Sequence, residues 1–389
     1  MDRIAGFLSR SSQSNLFKAV IIFFSTTQLG YHFWPDSSLV YGVRVDYLSP
    51  TLYFFDLLLI FYITTNKFEN WRIWDLRFAA PVFLINLLYS QNPLATLAWS
   101  AHVVIYISAI LSLQIKKHVF VKAVSITLIF QACLSLAQIS LSHSVGGLLY
   151  YLGERSVAVG APNIAMGEFM NNLVLRAYGT FGHPNVLAGW AVVGFLIIAR
   201  LVNKIYAPLV VVSLIVVLTQ SRSAAISLFG IVIPFLVIKK PIIRIAYFVV
   251  ACLISLSLNF FSPTRAGISI GERLNLQSLS ISSIKHFPVF GSGAQASITT
   301  YPNIDSRTRL LQPDHNSFTL LFSWFGIAGL LAILYLLSRL RGHTAIRPNL
   351  LFPILPLLFL DHYFLTSPQG IFILLLYTSM LVKADAQTD

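Results

Sequence analysis

Charge is what this chain lacks. Only 11% of its 389 residues are Asp, Glu, Lys or Arg, where a soluble domain carries about 25%. That scarcity excludes an ordinary soluble fold. Cysteine is nearly missing as well. Cys133 and Cys252 both fall inside apolar runs, so a disulfide framework is not indicated and the thiols do not locate the chain in a compartment. There is no low-complexity tract, and no internal repeat is evident by eye. Acidic residues are scarcest of all, 14 against 27 Lys and Arg, for a net charge of +13. In a soluble protein such an imbalance would point to nucleic acid. In a chain this apolar, the bias of basic residues toward cytoplasmic loops accounts for it first, and no nucleic-acid partner is expected.

What is present is apolar sequence. Hydrophobic residues make up 56% of the chain, and the mean hydropathy is +0.74. Runs of about 20 apolar residues imply membrane helices. Twelve candidate spans can be drawn: 16–34, 47–65, 77–90, 95–114, 118–141, 185–202, 205–220, 223–238, 241–260, 315–337, 349–366 and 368–383. No small-residue cleavage site closes the first, which reads as a retained helix. The third is short enough to be tilted or partly interfacial. The expectation is an all-α integral membrane protein forming one polytopic domain. Two long connectors, 142–184 and 261–314, carry the polar sequence, the second with a short interfacial helix.

Lys and Arg set the orientation. With the N-terminus in the cytoplasm, the inner side holds Arg3, Arg10, Lys18, Lys67, Arg72, Arg77, Lys116, Lys117, Lys122, Arg200, Lys204, Lys239, Lys240, Arg244, Arg339, Arg341, Arg347 and Lys383, 18 of the 27. An even number of spans leaves both termini inside and both long connectors outside. Nine basic residues then stand on the side the rule disfavours: Arg44, Arg155, Arg176, Arg222, Arg265, Arg273, Lys285, Arg307 and Arg309. Topology explains the inner set; the outer set needs another reason.

Four motifs hold the outer polar residues. Arg176-Ala-Tyr-Gly-Thr-Phe-Gly-His-Pro-Asn-Val-Leu-Ala-Gly189 closes the first connector and opens a span. Pro184 and Asn185 mark a helix start with free backbone N–H groups; the plain alternative is a loop-to-helix junction. His183 has no partner at metal-ligand spacing. Leu218-Thr-Gln-Ser-Arg-Ser-Ala224 joins two apolar runs with almost no loop, so Arg222 sits at the outer membrane surface. An arginine there is paired, solvated or snorkelling to headgroups.

The third motif starts at Gly271-Glu-Arg-Leu and ends at His286-Phe-Pro-Val-Phe-Gly-Ser-Gly293. The spacing of Leu274, Leu276, Leu279, Ile281 and Ile284 predicts a helix on the interface with Arg273 at its start. Pro288, Gly291 and Gly293 predict a sharp turn after it. The fourth is Asp314-His-Asn-Ser-Phe-Thr-Leu-Leu-Phe-Ser-Trp-Phe-Gly326. It puts His315 at a helix N-terminus on the membrane rim, and imidazole is the side chain suited to proton transfer near neutral pH. Asp314 or Asn316 acting as a helix cap is its plain alternative. Lesser features are Asp56, read as the structural partner of an arginine, the Asp361-His362 pair in the eleventh span, and Tyr41 and Tyr47, read as interfacial anchors.

These four motifs, in this order over Arg176–Gly329, resemble the O-antigen ligase and polymerase family of GT-C-like polytopic glycosyltransferases. The resemblance implies a metal-independent, inverting transfer at the outer face of a bacterial cytoplasmic membrane, with no cofactor. The donor it implies is a glycan on undecaprenyl pyrophosphate, and the acceptor a hydroxyl of a glycan or lipid-glycan. Arg222 and Arg273 match the family's essential arginines and would hold the pyrophosphate. His315 matches its essential histidine and would deprotonate the acceptor. Arg176, His183, Asn185, Arg265 and Asn316 stand beside them as substrate-binding candidates. Ligases often carry Thr three residues beyond the glycine that follows His-Asn. Gly329 stands there, which leaves ligase and polymerase both open.

The residue chemistry agrees independently. A pyrophosphate leaving group concentrates negative charge, and arginine forks neutralise it bidentately. Three rivals remain. A lipid-linked-sugar transporter would use the same arginines for binding only, and should show repeats or interrupted helices. A peptidoglycan-type glycan polymerase would use an outer carboxylate as base, with Asp305 or Asp314 available. A purely structural membrane protein leaves the outer cations unexplained.

Overall fold

The computed structural model describes residues 15–65, 80–113, 115–169, 172–257, 263–302, 310–341 and 351–383. Of the residues singled out above, Arg3, Arg10, Lys67, Arg72, Arg77, Asp305, Arg307, Arg309 and Arg347 lie outside it, as do the side chains of Arg265, Arg339, Arg341 and Lys383.

The chain opens with α1 (Asn15–Phe24). Short strands follow: β1 (Gly30–His32), β2 (Leu39–Val40), β3 (Val43–Arg44) and β4 (Thr51–Tyr53). Next come α2 (Phe54–Thr65), α3 (Ala80–Leu88), α4 (Pro93–Ser112) and α5 (Lys117–Leu141). The first long connector contains β5 (Met166–Phe169) and β6 (Asn172–Leu175). Then come α6 (Pro184–Leu201), α7 (Tyr206–Thr219), α8 (Arg222–Val237), α9 (Pro241–Ser257) and α10 (Pro263–His286). The chain closes with α11 (Ser317–Arg341), α12 (Leu355–Leu360), α13 (Tyr363–Thr366) and α14 (Pro368–Lys383).

The protein is mostly helical. Among the described residues, four helices are long and apolar enough to cross a membrane: α4, α5, α6 and the Ser317–Tyr335 part of α11. Six more apolar helices run 10–17 residues, among them α7 and α8. The strands depart from the all-α expectation. They form antiparallel pairs, β1 with β4 (Tyr31 opposite Leu52), β2 with β3, and β5 with β6 (Gly167 opposite Val174). Each satisfies backbone groups of a connector that has no helix to do so.

α6 is the central helix. Its apolar window is 78% buried, against 39% for α4 and for α11. Small residues let neighbours close on it, as they do between helices in lipid. A Cβ at Gly189 would sit 1.9 Å from the Tyr363 hydroxyl. Trp190, Phe195, Phe181 and Trp324 are all buried in the same core.

Two helices are interrupted. The expected span 349–366 is three short pieces, a 3₁₀ turn at Phe352–Ile354, then α12, then α13, with Asp361 extended between the last two (φ −150°, ψ 158°). The Asp361 carbonyl accepts from Ser317 Oγ at 2.7 Å. Non-helical backbone at membrane depth persists only where protein satisfies it in this way. α11 kinks at Gly326 (φ 61°, ψ −170°), and the carbonyls freed by the kink are used. Ser292 N–H donates to Ser323 O at 2.8 Å and Gly293 N–H to Trp324 O at 3.0 Å, while Ile327 N–H and Ala328 N–H donate back to Pro288 O and Val289 O. The sharp turn at residues 287–293 is thus clasped to the kink. Gly291 is required there, since its φ is +74° and a Cβ would lie 2.2 Å from Trp324 O.

Candidate active site

The first motif enters the site through β6. Past the strand, Arg176 is part-buried, its Nε donating to Thr219 O at 2.7 Å and its Nη2 to Asn185 Oδ1 at 2.6 Å. Burial lowers its pKa to about 10, and the charges of Arg273 and Arg222 add to the lowering. Pro184 at the first turn and His183 before it start α6, with His183 Nδ1 accepting from Asn185 N–H at 3.2 Å. His183 is therefore neutral. Burial, then the Arg176 charge, push its pKa down to about 3.

Asn185 donates to Asp361 Oδ1 at 2.9 Å, and Ser223 Oγ donates to Asp361 Oδ2 at 2.6 Å. Ser223 follows Arg222, the first residue of α8, which is exposed. Two residues, Gln220 and Ser221, suffice to link α7 to α8 because Gln220 adopts the left-handed conformation. α8 then passes through a π-helical segment, Ile226–Val232, a distortion found often at functional sites.

Arg273 reaches the same place from α10. Its Nη1 donates to Leu360 O at 2.9 Å, the last carbonyl before Asp361. It stands in the middle of α10 rather than at the start of a helix, because the helix begins at Pro263 and Gly271 does not break it. His315 arrives just before α11. Its Nδ1 lies 3.5 Å from Asp361 Oδ1, within ion-pair range but without a hydrogen bond. Its ring centroid is 5.1 Å from that of His362, which in turn meets the Tyr47 ring at 5.6 Å. His362 Nδ1 contacts Thr366 Oγ1 at 2.7 Å.

The structure therefore brings Asn185, His315, Arg176, Arg273 and His183 around one carboxylate, Asp361, with Arg222 exposed next to its partner Ser223. Arg176 and Arg273 lie within electrostatic reach of Asp361, and Arg222 within reach of Arg273, so the arginines lower one another's pKa. Asn316 has another occupation: its Oδ1 accepts from Phe318 and Thr319 N–H and so caps α11. Asp314 is buried, which raises its pKa, and it holds the Thr319 hydroxyl and Asn316 N–H.

A cavity of about 580 Å³ opens on one side of this cluster. His183, Asn185, His315, Asp361 and His362 form one end of its wall, whereas Arg176, Arg222 and Arg273 are absent from it. Tyr47 belongs to this wall and is no interfacial anchor; Tyr41 bonds Tyr301 O at 2.5 Å.

Sequence reading undervalued Asp361 and His362. Their signal was a charged pair inside an apolar run, and the partners that give it meaning are remote in sequence. Asp56 is bonded by His102, Tyr106 and Tyr53 N–H, and among the described residues these, not an arginine, are its partners.

The fold defines a mostly helical protein with helices long and apolar enough to cross a membrane. Residues 207–334, about a third of the chain, match the family model described as O-antigen ligase. That stretch is similar to the O-antigen ligase family, which supports the resemblance drawn from the motifs. The match takes in Arg222, Arg273, His315 and Gly326 but ends short of Asp361 and begins after Arg176 and Asn185. A search of curated proteins finds no match.

Proposed function

We propose that the chain transfers a glycan from undecaprenyl pyrophosphate to a sugar hydroxyl at the outer face of the cytoplasmic membrane, with inversion and without a metal. The observation that carries this reading is the position of the His315–Asp361 pair, between clustered arginine charge on one side and a cavity on the other. Arg222 and Arg273, with Arg176 behind them, bind the donor pyrophosphate. The acceptor glycan enters the cavity.

In this reading Asp361 attracts the Nδ1–H of His315, which leaves Nε2 as the basic nitrogen. Nε2 takes the proton of the acceptor hydroxyl as its oxygen attacks the anomeric carbon. The bond from that carbon to the pyrophosphate oxygen breaks, and undecaprenyl pyrophosphate leaves as the anion the arginines stabilise. Asn185 and Ser223 hold Asp361 in place, and His183, kept neutral, adds no cation to the cavity side.

The test is transfer from lipid-linked glycan by protein reconstituted in vesicles. His315→Ala should retain donor binding and lose transfer. A second reading, a lipid-linked-sugar transporter, draws support from the interrupted segment between Phe352 and Thr366, since such breaks mark transporter sites. The same variant separates the two: a transporter moves lipid without His315.

A further inference from the structure

The β1–β4 ribbon is built inside out. Paired residues of an antiparallel ribbon share a face, and successive residues alternate between faces. Tyr31 is paired with Leu52, and both point outward, 67% and 43% exposed. Phe33 stands beside Tyr31, their rings 4.9 Å apart, and Phe54 follows Leu52 by two residues; both are exposed. The ladder reaches them, since Phe33 N–H donates to Pro50 O and Phe54 N–H to Leu29 O, each at 2.9 Å. The other face belongs to Gly30, His32, Thr51 and Tyr53, and all four line the cavity. Thr51 Oγ1 contacts His32 Nδ1 there at 2.9 Å.

A ribbon in water turns its apolar side chains in and its polar ones out. Apolar outside and polar inside is the pattern of strands that face lipid. Position agrees. α1 ends at Phe24 and α2 starts at Phe54, their rings 5.2 Å apart, so the ribbon prolongs two apolar helices. Its outward face continues down α2 through Leu57 and Phe61, which share one side of that helix with Phe54 and are exposed. Beyond the ribbon the chain turns polar, and Asp36 and Asp46 are exposed. The ribbon thus stands between the lipid-facing side of a helix and water, at the depth of headgroups. An open ribbon edge is excluded from hydrocarbon, and headgroup depth is where its backbone can be satisfied. The Arg44 guanidinium lies 5.3 Å over the Trp34 ring, and both residues are exposed. Such a pair anchors at the level of lipid phosphates. It gives Arg44, one of the outer cations, a role apart from the arginine cluster.

We propose that the β1–β4 ribbon lies in the leaflet on the side of the His315–Asp361 pair, its Tyr31–Leu52 face packed on phospholipid at headgroup depth. One backbone layer then separates lipid from the cavity, and the cavity is sunk level with the headgroups rather than raised above them. The proposal does not depend on the chemistry of transfer.

The experiment uses the full chain in vesicles of phosphatidylethanolamine and phosphatidylglycerol. Cys133→Ser and Cys252→Ser clear the background, and a nitroxide is attached at one introduced cysteine at a time. Tyr31→Cys and Leu52→Cys report the outward face. Phe61→Cys is the lipid reference and Asp36→Cys the water reference. Each label's collisions with oxygen, which concentrates in lipid, are compared with its collisions with a nickel chelate, which stays in water. The oxygen-to-chelate ratio at Tyr31 and Leu52 should be several-fold above that at Asp36 and approach that at Phe61. Ratios equal to that at Asp36 overturn the proposal. So does a second copy on the face, seen as spin–spin broadening that unlabelled protein dilutes away. Trp34 gives a reading that needs no cysteine. Its emission, taken as wild type minus Trp34→Phe, should be quenched more strongly by lipid brominated near the headgroup than by lipid brominated near the chain end. Absence of quenching by either lipid overturns the contact. Neither measurement needs turnover, so a failed transfer assay leaves its result standing.

Discussion

Asp56 and Asp361 are both buried carboxylates in an apolar bundle, and each contacts a histidine, His102 at 3.2 Å and His315 at 3.5 Å. There the likeness ends. Asp56 stands in the first turn of α2, where Tyr53 N–H donates to it at 2.9 Å, and Tyr106 donates to it from α4 at 2.9 Å. His102 shares its Nε2 between Asp56 and Thr51 O. That network is local, complete and clear of the arginine cluster. Asp361 lies on non-helical backbone, draws its partners from α6, α8 and the approach to α11, and feels the charges of Arg176 and Arg273. A buried carboxylate is thus a weak sign of a site. A carboxylate on broken backbone, beside clustered cations, is a strong one, since folding alone would not select clustered like charge.

The contrast is sharpest where substitution breaks one side and spares the other. His315→Ala should lower the transfer rate by roughly 10²–10⁴-fold, the range for removing a positioned base. Single-turnover transfer with saturating donor checks this. Arg222→Ala and Arg273→Ala should each reduce transfer by about 10²-fold, the loss expected for one donor to developing negative charge. Their donor affinity, measured in the same vesicles, should fall as well. Asp361→Asn keeps the shape but loosens control of His315, and about 10-fold slower transfer is expected from a weakened charge-assisted bond. Asp56→Asn should do the opposite. Its thermal unfolding in detergent should show a loss of about 2 kcal/mol from weakened bonds to a charged group, with transfer per folded molecule unchanged.

A further effect, on stability alone, is on pH. His183 titrates near 3 when folded and near 6.5 when unfolded. Between those values the unfolded chain binds more protons, so stability falls as pH drops through 6.5. Going from pH 7 to pH 5 should cost about 2 kcal/mol from this group. His183→Asn, which keeps a capping side chain, should flatten that dependence in thermal melts.

Much of this was legible in the sequence. Membrane helices follow from apolar runs, and the outer arginines stood out because orientation could not explain them. The helix starts at Pro184 and near His315 were written in local chemistry. What stayed hidden was tertiary. Nothing near residue 361 shows that Asn185 and Ser223 will meet it, 176 and 138 residues away in sequence. Span counting also fails where a helix breaks on satisfied backbone, as at Asp361. The hairpins were missed because two- to four-residue strands give no usable periodicity. Arg273 was misplaced along its helix because Gly271 was taken for a start.

The clasp between residues 288–293 and the kink at Gly326 works as a buckle. It fastens the stretch that leads to Gln295 onto the helix that begins beside His315, and closes the intervening chain into a loop with both ends secured. The described part of that loop is packed rather than slack: Ala296, Ser297, Ile298, Tyr301 and Leu310 are all buried, so the buckle also holds a small second core in place.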